Sequence, residues 1–518
     1  MGVCDWVFFL PTWLYVLLFV AAALYIYGVW PYKTTKIPYP GPKPLPFIGN
    51  MMDIFRVGVQ EADRENVKKY GPVYLNWLAR TPELMISDPD MVKEIFIKQF
   101  PNFVNRTVVR GTVSLSKIES QQLTILEDDH WKFVRATLTP AFSSGRLREM
   151  VPILQGCLNN LQDVIFEGSK EGKSVEMKKI FQNFTMDAIA TTAFGIDTNL
   201  QKNSDDPFAK LLETMFQKRI SFLMFLNMMF PPLTWIMEYF EISAMPKETR
   251  DAMDAIIQNI RSNISERKEK NIKRRDLLQL MMDAQIDDLD PSAIDTKVLE
   301  NDIQKQRKGL TETEIMAQSV VFLLAGYATT AGTLGMLAHS LAVNPDCQEK
   351  LIEEIDRELK NENPTYENVM NLQYLDMCLS EVLRIYPPAQ RLTRHTKEDI
   401  VIKGHLIPKN TIANFPISHF HTNPEWWPEP EKFKPERFTP EEKANRHPYV
   451  YLPFGAGPRN CVGMRLAQLE TKMAIVAILQ KFRFVRSVDT EVPLKLALTG
   501  LSETVNGIWL KMESRRDN

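Results

Sequence analysis

The strongest constraint on this chain is an uncharged, apolar run near its amino end. No charged residue lies between Asp5 and Lys33, and the run 6–30 is long enough to cross a hydrocarbon core of about 30 Å as a helix. A cleaved signal peptide would have a shorter apolar core and a basic start, whereas the residues before this run include an acid and neither lysine nor arginine. The pattern predicts a retained transmembrane anchor over residues 1–32. A buried helix of a soluble core is the alternative.

Basic residues follow the anchor closely. Lys33, Lys36 and Lys43 stand just beyond it. Because positive charge collects on the cytosolic side of a membrane span, we expect the body in the cytosol and the amino terminus in the lumen. The topology predicted is a single pass.

A proline-rich segment separates the anchor from the body. Prolines occur at every second position from 38 to 46, a spacing that excludes helix and favours a stiff extended tether. We therefore expect a hinge over residues 33–49; a ligand for a proline-recognition domain is the alternative. From residue 50 to 518 there is no solenoid repeat and no linker, so this part is predicted to be one unit.

Charge and cysteine content exclude two classes of protein. With 62 Lys+Arg against 64 Asp+Glu the net charge is -2, so no basic field indicates a nucleic-acid partner. The five cysteines are odd in number and scattered, which favours a reducing compartment over a secreted disulfide framework. Helical patterns dominate the body, with strand-like stretches at 72–87, 400–412 and 482–510. The predicted fold class is mainly α (α+β), with a helix-rich body and small β-sheets.

A long uncharged helix is predicted in the second half of the chain. A capping box at 311–314 begins it, no formal charge follows until Asp346, and Asn-Pro at 344–345 ends it after about eight turns. A second transmembrane segment is the alternative. The run carries many polar side chains that lipid would leave without partners, so we expect a buried central helix.

The middle of this helix combines a glycine with two hydroxyls. Gly326 lets a ligand approach the backbone closely. The hydroxyls of Thr329 and Thr330, one turn on, can bend the helix or donate a proton to something bound against it. Alone, this is a weak indication of a site.

A glycine-rich loop at 454–463 is built around Cys461, and a helical pattern follows at 464–479. Its glycines permit tight turns, and a cysteine at a helix amino end has its thiolate stabilised by the dipole and by free amides. The loop lacks the lysine and hydroxyl of a phosphate loop, and no second cysteine or histidine is near enough for a zinc site. We infer a thiolate metal ligand; a nucleophilic cysteine with a distant histidine is the alternative.

Two further segments place acids and bases together. Glu381 and Arg384 stand at i, i+3 of a helical pattern, and Arg437 lies in a Pro-Glu-Arg-Phe segment. Taken singly, E-x-x-R is common surface chemistry.

In this order, these segments resemble the cytochrome P450 superfamily. The shared motifs are F-x-x-G-x-x-x-C-x-G, E-x-x-R, P-E-R-F and A-G-x-x-T-T, of which the cysteine loop is the specific one. The resemblance covers nearly the whole chain, and the segments 127–135, 325–327 and 454–461 are similar to the vertebrate family-3 microsomal members. It implies the cytochrome P450 fold with an N-terminal transmembrane helix, and a haem-binding catalytic domain over residues 50–518.

The resemblance also implies site residues. The cofactor would be haem b, with its iron held by the thiolate of Cys461. The side chains implied to contact the haem are Arg106, Trp131, Arg135, Ala325, Arg394, Phe454 and Arg459, the cations and the indole being partners for its propionates. The residues implied to lock the scaffold beneath it are Glu381, Arg384 and Arg437. The implied catalytic hydroxyls are those of Thr329 and Thr330.

The implied reaction inserts one oxygen atom of O2 into lipophilic substrates such as steroids and foreign compounds. Electrons would come from NADPH through NADPH–cytochrome P450 reductase, with cytochrome b5 as a further candidate partner, at the endoplasmic reticulum membrane. The residues implied to contact substrate are Phe322, Ala325, Ala389, Leu392 and Leu501. The apolar, proline-broken segment 221–237 is expected to be a pocket lid, a second dip into the membrane face or ordinary core.

One position departs from the family pattern. An acid usually precedes the catalytic threonine, and here that residue is Ala328. Its loss would slow proton delivery, favour leakage to peroxide, or require a route through the two threonines and water. A haem-thiolate isomerase or peroxide-using enzyme without a reductase, and a non-catalytic haem or sterol binding protein, are therefore the alternative functions.

Overall fold

The computed structural model describes residues 12–106, 116–170, 172–196, 198–203, 206–216, 221–240, 242–285, 309–498 and 500–515. Its α-helices are α1 (Thr12–Thr34), α2 (Met51–Tyr70), α3 (Pro89–Lys93), α4 (Asp128–Leu138), α5 (Ser144–Lys170), α6 (Met177–Phe194), α7 (Pro207–Phe216), α8 (Phe222–Met229), α9 (Leu233–Tyr239), α10 (Lys247–Glu269), α11 (Leu277–Asp283), α12 (Glu312–Val343), α13 (Pro345–Leu359), α14 (Tyr366–Met370), α15 (Gln373–Ile385), α16 (Ile417–Thr422), α17 (Pro440–Asn445) and α18 (Met464–Leu479). Its β-strands are β1 (Val73–Leu78), β2 (Thr81–Ile86), β3 (Val175–Glu176), β4 (Arg391–His395), β5 (Ile400–Ile402), β6 (His405–Ile407), β7 (Ile412–Pro416), β8 (Phe482–Val485) and β9 (Trp509–Ser514).

Three small sheets accompany the helices. The largest has the order β1-β2-β7-β4, in which β2 and β7 are parallel and the other neighbours antiparallel. The order β3-β9-β8 forms an antiparallel sheet, and β5 pairs with β6. Each predicted strand-like stretch contains strands, so the mainly α (α+β) prediction is confirmed. The strands β3 and β4 escape prediction because one has two residues and the other is largely polar.

Two helices are long and apolar enough to cross a membrane. The most apolar window of α1 is 6% buried within the protein, whereas that of α12 is 61% buried. The apolar surface of α1 is therefore mostly not covered by the rest of the protein. The helix α12 is a central core helix, as the sequence predicts. Residues 1–11 of the expected anchor lie outside the described residues.

The proline-rich segment is extended but does not stand free of the body. Residues 35–44 have no regular secondary structure. The amide of Leu75 in β1 donates to the carbonyl of Pro40 at 2.8 Å, and the hydroxyl of Tyr39 donates to the carbonyl of Leu406 at 3.0 Å. The segment is thus docked along the sheet, because its carbonyls and side chains find partners there.

The core of the body lies around α12. The predicted capping box is present, with Thr311 accepting from the amide of Glu314 and Glu314 accepting from that of Thr311. Buried apolar residues of α5, α6, α12, α15 and α18 form one cluster, and a second lies against the largest sheet. The long helix therefore links most of the molecule.

The segment 221–237 is only partly core, since Met228, Met229 and Met237 are buried and other apolar side chains are exposed. It forms α8 and α9, in which Phe222 is 73% exposed and Trp235 is 76% exposed. The ring of Tyr27 in α1 stacks on that of Phe230 with centroids 5.7 Å apart. An exposed apolar surface thus lies beside the anchor.

Candidate functional site

The cysteine loop is held in shape by backbone contacts. Gly457 has a φ of +73°, and a Cβ at this position would lie 2.2 Å from the carbonyl oxygen of Phe96. Only glycine avoids this clash in the left-handed region. The amide of Cys461 donates to the carbonyl of Phe454 at 2.9 Å, and α18 begins three residues later. The loop therefore presents the sulfur just before a helix amino end.

Opposing influences act on the thiol of Cys461. The side chain is solvent-accessible, but it sits in a recess with protein atoms around it. Burial raises the pKa of the thiol, and the backbone amides of Gly463 and Met464 and the guanidiniums of Arg135 and Arg106 oppose that rise. Among the described residues no three His, Cys, Asp or Glu side chains gather as a metal cluster.

Arginines from distant segments are bonded to the cysteine loop. Arg135 of α4 donates to the backbone and side-chain oxygens of Asn460, both at 2.9 Å. Arg106 donates to the carbonyl of Arg459 at 2.8 Å. Arg459 in turn donates to the carbonyls of Val104 and Leu126. These bonds fix the loop and the two chain segments against one another.

Arg106 and Arg459 of this group, together with Arg394 of β4, have unused hydrogen-bonding capacity. The Nε atoms of Arg106, Arg394 and Arg459 are buried and have no partner among the described residues. Burial, and then the charge of Arg106, lowers the pKa of Arg459 to about 9; burial lowers the pKa of Arg394 well below its usual value. Within the part of the chain described, none of the three forms an ion pair with a carboxylate. This donor set fits a ligand that carries carboxylates.

Trp131 joins this cluster from α4, one turn before Arg135. Its ring is 3% exposed, and the guanidinium of Arg459 lies 4.8 Å from the ring centroid. Arg394, on β4, lies over the ring of Phe96 at 4.4 Å. The structure thus brings the five predicted propionate partners towards the cysteine loop.

The long helix exposes one short stripe. Beyond its first turn, the exposed residues among those described in α12 are Ala325 and Thr329, and they lie one turn apart. The hydroxyl of Thr329 donates to the carbonyl of Ala325 at 2.7 Å, which leaves its oxygen free to accept. Thr330 is buried, and both threonines line a small cavity together with Phe454 of the cysteine loop. The predicted hydroxyl pair and the loop therefore share one cavity.

Gly326 has a different role from the one expected. A Cβ at this position would lie 2.9 Å from Ile189 of α6. The hydroxyl of Thr185, also on α6, donates to the carbonyl of Tyr327 at 3.0 Å. The expectation that this glycine admits a ligand is wrong, because its open side is filled by helix packing.

The predicted substrate residues lie in three separate parts of the fold. Ala389 forms an antiparallel bridge with Leu501, which is 41% exposed. Leu392 reaches the cysteine loop, its methyl lying 3.4 Å from where a Cβ on Gly455 would be. Phe322 is 9% exposed and packs against the ring of Phe142 in the core, with centroids 5.5 Å apart.

The predicted acid and bases form one buried network. Arg384 donates to Glu381 through Nε at 2.7 Å and Nη2 at 2.8 Å, and both side chains are fully buried. Arg437 donates to the same carboxylate at 3.2 Å. The E-x-x-R pair is therefore a scaffold device and not surface chemistry.

Sequence reasoning misses the residue that links this network to Leu452, just before the cysteine loop. His421 donates from Nδ1 to the carbonyl of Arg384 at 3.2 Å, and its Nε2 accepts from the amide of Leu452 at 2.8 Å. Burial, and then the charge of Arg384, lowers the pKa of His421 to about 3, so the ring is neutral. Buried Trp427 is also missed; its ring lies 3.9 Å beneath the guanidinium of Arg446. Neither residue has a local pattern that would have revealed it.

Comparisons with known proteins agree with this arrangement. The family model for cytochrome P450 matches residues 39–512. The chain is 39% identical over 512 residues to cytochrome P450 3A9 of Rattus norvegicus, covering 98% of this chain and 97% of that protein. It is 39% identical over 515 residues to cytochrome P450 3A6 of Oryctolagus cuniculus (99% and 98%) and 38% identical over 507 residues to cytochrome P450 3A56 of Fundulus heteroclitus (97% and 98%).

Proposed function

The chain belongs to the cytochrome P450 family, and from this premise we propose which of its residues carry the chemistry. It is a membrane-bound, haem b-containing monooxygenase that acts on steroids and xenobiotics and depends on a reductase for electrons. Thiolate ligation pushes electron density that favours O–O cleavage, and this is the chemistry that the haem supplies when bound.

Cys461 holds the iron in this proposal. The observation that carries it is the accessible sulfur in a loop whose shape is held by Gly457 and by the hydrogen bond from the Cys461 amide to the Phe454 carbonyl. The unpartnered Nε groups of Arg106, Arg394 and Arg459 support the fit, because haem carboxylates would satisfy them. Arg135 and the indole of Trp131 would complete the proposed propionate side. Phe454 would lie against the thiolate.

The exposed stripe of α12 would face the reacting atoms. Ala325 would contact the haem and the substrate, because a small side chain leaves room for both. Thr329, whose oxygen is free to accept, would hold a proton-carrying water, with Thr330 beside it. The residues proposed to shape the apolar substrate space are Phe322, Ala325, Ala389, Leu392 and Leu501.

A scaffold role follows for the buried network. Glu381, Arg384 and Arg437 would hold α15 against the segment that leads to the cysteine loop, because their hydrogen bonds join these parts directly. We propose functional divisions at 1–32 for the anchor, 33–49 for the hinge and 50–518 for the catalytic domain.

The anchor helix and the lysines that follow it bear on the orientation of the chain in the membrane. This chain has an apolar helix near its amino end, α1, that is long enough to cross a bilayer. Lys33, Lys36 and Lys43 favour a lumenal amino terminus and a cytosolic catalytic domain at the endoplasmic reticulum. The redox partner is NADPH–cytochrome P450 reductase, with cytochrome b5 as a second donor. Exposed Phe222 and Trp235 beside the anchor would touch the bilayer surface.

Reconstitution tests the function. The full chain, in vesicles with reductase and NADPH, is expected to convert a steroid probe such as testosterone into products that carry one atom from labelled O2. The Cys461→Ser variant should form none, whereas Cys347→Ser, a cysteine distant in sequence from the loop, should match the wild type. Product formation by Cys461→Ser at the wild-type rate would overturn the proposal.

A further inference from the structure

A second cavity borders the long helix at Ala328, the residue that precedes Thr329. Ala328, Gly332 and Met336 of α12 line it, and so does Glu213 of α7. Its volume is about 400 Å³, and it opens to solvent. A polar cavity of this size holds water molecules.

One carboxylate of this cavity is not used by the fold. Glu176 caps α6 by accepting from the amide of Lys179 at 3.0 Å, and it also accepts from the amide of Ile508. Glu503 has other interactions. Glu213 is exposed to the cavity and has no hydrogen bond or ion pair with any described residue. It is therefore the carboxylate available for exchange with cavity water.

Glu213 also lies close to the part of α12 that immediately precedes Thr329. A smaller neighbouring cavity is lined by both Glu213 and Tyr327. Burial, and then the charge of Glu213, raises the pKa of the Tyr327 phenol. Tyr327 and Ala328 immediately precede Thr329, so the carboxylate is within electrostatic reach of this part of α12.

Monooxygenation consumes protons at the reacting atoms. In the overall reaction RH + O2 + NADPH + H⁺ gives ROH + H2O + NADP⁺, and protons must enter from solvent. A relay needs a titratable group between solvent and the reacting atoms, and Ala328 cannot serve.

We propose that Glu213 is the proton-relay residue of this enzyme, acting through cavity water on Thr329 in place of a carboxylate at position 328. This inference rests on the proposed function. The carboxyl of Glu213 passes its proton to water, that water protonates the water held by Thr329, and the carboxylate regains a proton from solvent at the cavity mouth. No other bond is formed or broken in the relay.

Glu213→Gln tests this directly. With testosterone, reductase and NADPH, the ratio of product to NADPH consumed should fall at least about fivefold, and hydrogen peroxide should rise in step. The matched control is Glu248→Gln, an exposed glutamate of α10 that lines neither cavity, and it should leave the ratio unchanged. Adding Ala328→Glu to the Glu213→Gln variant should restore the ratio, because a carboxylate then stands beside Thr329 again.

Two further variants separate the relay from a structural effect. Gly332→Leu should fill part of the cavity without replacing any carboxylate, and the side chain fits because a Cβ there meets no atom within 4 Å. It should also lower the ratio of product to NADPH consumed. The infrared stretching band of carbon monoxide bound to the reduced protein should shift in Glu213→Gln and in Thr329→Ala. The double variant should match Thr329→Ala alone, because the carboxyl acts through that threonine.

Equal product-to-NADPH ratios for wild type and Glu213→Gln would overturn the relay and leave the proposed function standing. Absence of product from a wild-type protein that binds haem through thiolate would overturn both. A carbon monoxide band that Glu213→Gln does not move would also count against the relay.

Discussion

Removing the buried carboxylate of Glu381 should destabilise the protein by far more than breaking an exposed ion pair. The carboxylate accepts two hydrogen bonds from Arg384, one from the amide of Lys434 and one from Arg437. In Glu381→Ala both guanidiniums stay in the interior without their counter-charge. Arg384 retains only backbone acceptors, among them the carbonyls of His421 and Pro430.

The magnitude follows from burial. Glu381 and Arg384 are both 0% exposed, and stripping one partner from a buried ion pair costs about 3–5 kcal/mol. With an unfolding entropy of about 2 cal/mol/K per residue, that loss lowers the midpoint of thermal unfolding by roughly 3–5 °C in a chain of this length.

Scanning calorimetry on detergent-solubilised holoprotein measures the shift. The matched control is Glu149→Ala, which breaks an arginine–glutamate pair of the same i, i+3 spacing with both side chains 41% exposed, together with a longer contact to the exposed Arg275. It should cost no more than about 0.5 kcal/mol. Adding Arg384→Ala to Glu381→Ala should cost less than the two single changes summed, because the unpaired guanidinium of Arg384 is then gone and only Arg437 still lacks its counter-charge. Equal midpoints for Glu381→Ala and Glu149→Ala would refute this reasoning.

Three further outcomes are expected. Gly457→Ala should abolish haem incorporation, because the new Cβ meets a backbone carbonyl. Gly156→Ala within α5 should be neutral or stabilising by up to about 1 kcal/mol. The haem absorbance of the two variants after expression compares them. Because the folded-state pKa of His421 is lowered to about 3, the unfolded chain binds its proton first. Stability is therefore complete above about pH 6.5 and falls towards pH 3 by up to about 1.4 kcal/mol per pH unit, and His421→Gln should flatten that part of the urea-unfolding profile. Trp427→Ala should cost about 3–5 kcal/mol in the same assay, whereas Trp235→Ala, at 76% exposure, should change stability by about 0.5 kcal/mol or less.

Features written in local pattern could be predicted from the sequence. The helix expected at 464–479 is α18 with the same bounds, and the capping box that begins α12 is present. Helical periodicity, capping residues and proline stops act over a few residues, so a single sequence carries them. The cysteine loop can likewise be recognised from its glycines and its cysteine.

Features made by distant residues could not be predicted in the same way. Whether Gly326 faces a ligand or a neighbouring helix depends on Ile189, more than a hundred residues away. The docking of the proline-rich segment depends on β1, and the role of His421 depends on Arg384 and Leu452 meeting it. Glu213 carries no motif at all; only the cavity it shares with Ala328 makes it a candidate.

Ligation of haem iron by the sulfur of Cys461 is measured most directly by the absorption spectrum of the reduced, carbon monoxide-bound protein. Wild type and Cys347→Ser should both show the strongly red-shifted Soret band of a thiolate-ligated haem, and Cys461→Ser should lose it. A red-shifted band that persists in Cys461→Ser, or one that is absent from a haem-replete wild type, would contradict the assignment.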